Sequence, residues 1–268
     1  MGEPDVEAEL LERGGVGLAV DGACATITLR RPEKLNAQTP STWEALRQIG
    51  ERLAPDVRVV VVRGSGRSFS AGLDRRMFAP DGVPGEPGFA DITTAPPGGG
   101  DAIIDRFQQG FTWLMAPGRV TVAAVHGHAV GAGFQLALAC DLRIAAADAR
   151  FTMAETGLGL VPDLTGTLAL VRAVGYPKAV EICLTGRAIP ADEALRTGLV
   201  NSVVPGDQLD SAVDELVAAL LKPPAGAMRE TLALLAGAAD GASLDEQRAA
   251  ERAAQLRRLA ELRQLMSD

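Results

Sequence analysis

The stretch over residues 121–143, TVAAVHGHAVGAGFQLALACDLR, constrains the fold of this chain more than any other. It opens with a β-branched and apolar run over 121–125, which reads as a buried strand. Three glycines follow, Gly127, Gly131 and Gly133, and then FQLALAC carries apolar residues at helical spacing with Asp141 at its end. The pattern predicts a strand, a glycine turn and a buried helix. A glycine-rich turn that opens a helix leaves backbone N–H groups unpaired at the positive end of the helix dipole, where they can hold a developing negative charge. Gln135 lies one turn in from Ala132 and faces the same space. The other reading is a tightly packed strand–helix joint, and this stretch alone leaves both open.

The rest of the chain repeats the theme. Residues 16–20 and 23–30 read as two strands of a hairpin turning at Asp21-Gly22. The charged turn RPEKLNA precedes a helix over 39–54, with Trp43, Leu46, Ile49 and Leu53 on one face. Residues 56–63, DVRVVVVR, read as a buried strand, and 65–74, SGRSFSAGLD, break regularity with glycines. The Pro- and Gly-rich segment 80–100 reads as a mobile loop or lid, because the strand–helix pattern resumes unchanged after it. A helix over 101–115 then delivers the chain into the organising strand. Strands are expected at 142–146 and 150–153, and helices at 164–174, 178–184 and 190–197. A strand over 199–204 closes this α/β part. Beyond it, residues 209–221, 225–235 and 244–266 all read helical. Two regions are expected: a core over 1–205 and a helical region over 206–268, for oligomerisation and pocket cover.

Charge and composition exclude several functions. A formal net charge of −8 with no long basic tract argues against a general nucleic-acid binder. Cys24, Cys140 and Cys183 fit neither a disulfide framework nor zinc spacing. The acidic N-terminus has no signal-peptide order, and no apolar run approaches a membrane span. A cytoplasmic protein is expected, without a membrane partner. His126 and His128 flank Gly127, but no third ligand lies near them in the sequence, so no metal is expected.

Three places carry candidate chemistry. SFSAGLD sets the backbone N–H of Leu73 after a glycine, in a loop that follows a buried strand. GHAVGAGFQ does the same for the N–H of Ala132 at a helix start. AETGLG supplies one acid, Glu155, on a loop. Two convergent backbone N–H groups suit a developing oxyanion, and a nearby carboxylate suits proton abstraction or delivery.

These blocks, together with ETGLGLVPDLTGTLALVRAVG and LTGRAIPADEALRTGLVNSVV, resemble the crotonase (enoyl-CoA hydratase/isomerase) superfamily over residues 16–204. The resemblance implies an α/β fold, a spiral of ββα units followed by a helical region used in trimer formation. A homotrimer or a dimer of trimers is therefore expected. It implies an acyl-CoA thioester whose carbonyl oxygen lies between the N–H groups of Leu73 and Ala132. Ala71, Asp74 and Gly131 are secondary substrate-binding candidates. No separate cofactor is expected, since coenzyme A is part of the substrate.

Departures from the family pattern bear on the reaction. Family hydratases use two glutamates, and those positions fall here on Gln135 and Glu155. A glutamine cannot take a proton at neutral pH, although its amide can hold a water or a substrate group. One carboxylate suffices for a 1,3-proton shift, so isomerisation with Glu155 as acid–base is the first expectation. Hydration with Gln135 orienting water is the second, and a non-catalytic acyl-CoA binder the third. Asp163 falls where the family's dienoyl-CoA isomerases carry an acid, but it also follows a proline and precedes a helix, an ordinary N-cap setting. Asp141 is expected to pair or cap within the fold. Arg30, Arg31, Lys34, Arg67, Arg75 and Arg76 are either contacts for CoA phosphates or solvated surface charges. The family commonly ends in one more helix than this sequence shows, which bears on the pocket roof and the assembly.

Overall fold

The computed structural model describes residues 6–79 and 81–266; the expectations for the N-terminal stretch, the start of the 80–100 loop and the last two residues extend beyond these. A short helix α1 (Ala8–Gly14) leads into the hairpin of β1 (Val16–Asp21) and β2 (Cys24–Leu29), antiparallel with Val16 opposite Leu29 and Asp21 opposite Cys24. Then come α2 (Pro40–Arg52) and β3 (Val59–Gly64). Pro40 opens α2 at the position where its missing N–H is harmless.

The segment expected to be a loop is in part helical, as α3 (Phe89–Thr94). Asp91 accepts a hydrogen bond from the Gly88 N–H at 2.7 Å, and the Phe89 ring packs edge-on against Phe78 at 4.6 Å. A local cap and an aromatic contact thus order residues whose Pro and Gly content had suggested irregular chain. Helix α4 (Gly99–Thr112) follows, continued as a 3-10 turn (Trp113–Met115).

Next come β4 (Val120–Val125), β5 (His128–Val130), α5 (Ala132–Ala139), β6 (Leu142–Ala146) and β7 (Arg150–Thr152). The expected glycine turn therefore contains a strand of its own. Residues 128–130 extend because β7 offers them a partner twenty residues ahead, which local periodicity cannot reveal. The chain continues through α6 (Gly166–Val174), α7 (Tyr176–Thr185), β8 (Ile189–Pro190), α8 (Ala191–Arg196) and β9 (Ser202–Val204). It ends in α9 (Leu209–Leu221), α10 (Ala225–Ala239) and α11 (Leu244–Leu265).

Six strands form one sheet in the order β1-β2-β3-β4-β6-β9, parallel from β2 onward, and β5-β7-β8 form a second. The valine run of β3 is explained by burial on both faces. Val60 and Val62 join the core shared with α2, α4 and α5, while Val59 and Val61 face α9 through Leu209 and Val213. Asp141 closes the turn between α5 and β6, accepting from the Thr121 N–H and hydroxyl at 2.8 and 2.9 Å. This is the structural role expected of it. Among the described residues of helix α11 only Ala254 is buried, and Leu256, Leu259 and Leu262 are exposed. Among the described residues, no helix is long and apolar enough to cross a membrane.

Candidate active site

Pairing in the small sheet sets the site. Strands β5 and β7 run parallel with Val130 opposite Thr152, and the Gly131 N–H donates to the Thr152 carbonyl at 2.8 Å. Beyond that bond the two chains leave side by side, one into α5 and the other into a 3-10 turn (Glu155–Leu158). Glu155 is thereby set against Gly131, where a methyl group would stand 3.1 Å from Glu155 Oε1. Gly131 also has φ +50, a conformation that favours glycine.

Gln135, one turn into α5, is buried and lies directly against Glu155. Its Nε2 donates to Glu155 Oε1 at 2.7 Å, and its Oε1 accepts from the N–H groups of Leu164 and Gly166 at 2.9 and 3.3 Å. One amide N–H remains beyond these bonds. Glu155 itself is 9% exposed, and its Oε2 is buried without a hydrogen-bond partner. Burial is the main cause that raises the Glu155 pKa above its usual value; the bond from Gln135 opposes it and the charge of Asp163 adds to it.

Asp163 is near enough for its charge to reach Glu155. It is not a helix cap: α6 begins at Gly166, and the residue before it is Thr165, in a left-handed conformation at φ 68. The helix starts late because the chain first turns to aim two N–H groups at Gln135. Asp163 is solvent-exposed as a residue, and partial enclosure of its carboxyl raises its pKa. Its backbone carbonyl accepts from Gln108 Nε2 at 2.6 Å.

The loop after β3 is joined to β5. Ser70 N–H donates to the His128 carbonyl at 2.9 Å and Val130 N–H returns a bond to the Ser70 carbonyl at 3.0 Å. On the other side Gln38 takes the Gly72 carbonyl at 2.7 Å and the Asp74 N–H at 2.8 Å. In extended chain successive peptide groups point to opposite sides, so the Leu73 N–H is directed away from Gln38. Among the described residues, neither the Leu73 N–H nor the Ala132 N–H has a protein acceptor. A Cβ on Gly72 would lie 3.4 Å from the Ala132 nitrogen, which shows how closely the two segments meet. Two free donors on adjoining backbones, with a buried carboxylate next to Gly131, can stabilise negative oxygen and move a proton.

The weaker candidates divide. The Ala71 N–H is used by the Leu35 carbonyl at 2.8 Å, which fixes the loop. Asp74 is held by Arg31 at 2.8 Å and Arg76 at 2.9 Å, and these contacts keep its carboxyl well below the usual range. Two of the arginines considered for phosphate contacts are thus committed to Asp74. A lowered carboxylate pKa adds stability above the unfolded value, about 3.8, and that stability is lost as pH falls. Asp74→Asn is expected to lower stability near pH 7 by about 1–3 kcal/mol and to flatten acid denaturation, measured by urea unfolding at several pH values. His126 Nε2 lies 3.0 Å from the Gly66 carbonyl, and no group of three or more metal-ligating side chains occurs among the described residues.

Several supporting residues had no signal in the sequence reading. Asn36, Gln38 and Ser70 are buried and interlinked: Ser70 Oγ donates to the Asn36 carbonyl at 2.8 Å and accepts from Gln38 Nε2 at 3.1 Å. Trp43 Nε1 donates to Gln38 Oε1 at 2.8 Å, which ties α2 to the same network. Asn36 lies within the RPEKLNA turn and Gln38 directly follows it, so polar residues at the end of a charged turn were the available hint. Cys183, on α7, is close enough to Glu155 for that charge to raise its thiol pKa, with burial the larger cause.

A sequence profile described as Enoyl-CoA hydratase/isomerase matches residues 20–262. A Thermobifida fusca YX protein solved in complex with CoA is 47% identical, with a TM-score of 0.91, over 97% of this chain and 98% of that one. Its complex with acetoacetyl-CoA gives 49% identity and a TM-score of 0.91, over 95% of this chain and 98% of that one. The (E)-benzylidenesuccinyl-CoA hydratase of Thauera aromatica is 38% identical over 192 residues, 70% of this chain and 69% of that protein. The mitochondrial Delta(3,5)-Delta(2,4)-dienoyl-CoA isomerase of Rattus norvegicus is 34% identical over 190 residues, 67% of this chain and 55% of that protein. With a profile spanning most of the chain and a shared fold over nearly all of it, the chain belongs to the enoyl-CoA hydratase/isomerase family, the crotonase superfamily.

Proposed function

We propose that this protein moves the double bond of an enoyl-CoA thioester by a 1,3-proton shift. Glu155 takes a proton from the carbon next to the thioester and returns it two carbons further on. The N–H groups of Leu73 and Ala132 hold the thioester oxygen as it gains enolate charge. The observation that carries this reading is the Gln135–Glu155 pair: the neighbour of the buried carboxylate is an amide that cannot ionise, leaving one acid–base group beside Gly131. The CoA and acetoacetyl-CoA held by the Thermobifida fusca protein support a CoA thioester as the ligand.

Hydration of a 2-enoyl-CoA is the second reading, favoured by the hydratase from Thauera aromatica and by a second acid, Asp163, whose charge reaches Glu155. Purified protein assayed on a 3-enoyl-CoA and a 2-enoyl-CoA separates the two. Double-bond migration faster than water addition is expected; water addition without migration would overturn the isomerase reading. The exposed leucines of α11 support a self-assembling helical tail, which light scattering would test.

A further inference from the structure

We propose that Gln135 is a positioning residue whose carboxamide holds Glu155 and the 163–166 turn in one fixed arrangement, so that it acts on the reaction through Glu155. The inference rests on Glu155 being the acid–base group.

The hydrogen bonds match a carboxamide, which supplies an acceptor at one end and a donor at the other without having to bind a proton. Oε1 accepts from two backbone N–H groups, those of Leu164 and Gly166, while Nε2 donates to Glu155 Oε1. A carboxylate at this position could keep the two acceptor bonds but would have no proton for Glu155. An apolar side chain of equal length would leave three buried polar groups without this partner. The turn closes on the amide without spare room: a Cβ at Gly166 would meet Gln135 Cγ at 2.6 Å and Oε1 at 2.9 Å. Between the two bonded N–H groups, Thr165 is held at φ 68. A β-branched residue there is strained and persists only when its surroundings fix it. Oε1 supplies bonds on both sides of it.

Glu155 is consequently asymmetric. Oε1 is engaged by Gln135, and Oε2, buried and without a partner, is the oxygen left to carry the proton. The same amide fixes the residues on either side of Thr165 and thereby the path of the turn that begins at Asp163. One side chain therefore ties Glu155 to the turn that follows Asp163.

Gln135→Glu and Gln135→Met test this. The Glu155 carboxyl is followed by carbon-13 NMR across pH, its signal identified by its loss in Glu155→Gln. Asp163 and Cys183, the other titratable groups whose interactions with Glu155 are seen, are the same in every variant. In Gln135→Glu two carboxyl groups face each other at the position of a 2.7 Å hydrogen bond and must share a proton. The Glu155 midpoint is expected to rise by about one pH unit or more in Gln135→Glu, and by less in Gln135→Met. On a 3-enoyl-CoA, Gln135→Glu is expected to lose about tenfold or more in kcat while KM changes by less than about threefold. If the Met variant does not fold, Gln135→Glu decides alone, because it keeps the acceptor bonds to Leu164 and Gly166. Unmoved Glu155 midpoints in the folded variants would overturn the inference. A wild type that does not turn over a 3-enoyl-CoA, with the midpoints moving as stated, would sink the isomerase reading and still support the role of Gln135.

Discussion

Glu155→Gln is expected to lower kcat on a 3-enoyl-CoA by about 10²–10⁴-fold, the usual contribution of a positioned acid–base group. The substitution keeps the size of the side chain and its ability to accept the Gln135 amide bond, so KM should change little. Loss of activity will not reflect unfolding, and the sign of the linkage shows why. The folded-state pKa of Glu155 is raised above 4.5, chiefly by burial. A raised pKa contributes stability that is present below the unfolded value and lost as pH rises through the folded one. Above the unfolded value the buried carboxyl thus weighs against folding, and a neutral glutamine, which does not titrate, removes that penalty. Thermal unfolding at pH 7 should show Glu155→Gln at least as stable as the wild type. The wild-type pH profile should follow the same group: kcat/KM falls on acidification with a midpoint above the ordinary glutamate value. A variant that keeps full double-bond migration would end the assignment of Glu155.

Gly72→Ala is the second large effect. Gly72 has φ +84, and an added Cβ would stand 2.4 Å from the Val130 carbonyl oxygen, a backbone atom that cannot swing aside. The left-handed conformation costs a non-glycine residue about 1–2 kcal/mol, and the clash forces the loop away from β5 as well. The Leu73 N–H moves with it. Displacing one donor from a developing oxyanion lowers kcat by about 10²–10³-fold. Gly22→Ala is the control: its φ of +54 is also left-handed, but nothing lies within 4 Å of the new methyl. It should lower the melting temperature modestly and leave kcat unchanged. Equal kcat losses in the two variants would show that Gly72 matters only for stability.

The residues of the site were legible because each sits beside a local signal. Gly72 and Gly131 mark points where backbone approaches backbone or a carboxylate, and glycine in a loop after an apolar strand is readable without a structure. The valine run of β3 announced a buried strand, and the Asp21-Gly22 pair announced a hairpin. Boundaries failed where a distant partner set them. Strand β5 exists because β7 pairs with it, and helix α6 starts at Gly166, later than the sequence suggested, because Gln135 holds the N–H groups of Leu164 and Gly166. Segment 80–100 misled because Phe78 and the Asp91 cap stabilise a helical turn that its composition disfavours.

The sequence by itself determined the family, the two glycine-flanked N–H groups and the presence of one glutamate where two are usual. Those are properties of residue type and order, and they survive without coordinates. Only the tertiary structure decided what Gln135 does. A glutamine in a helix has four hydrogen-bonding positions, and the sequence is equally consistent with a water, a substrate or a protein partner at each. The parallel pairing of β5 with β7 brings Glu155 to one end of that amide, and the turn through Thr165 brings two N–H groups to the other. Both partners lie at least twenty residues away in the chain, beyond the reach of any local pattern, and burial makes their bonds strong enough to fix the site.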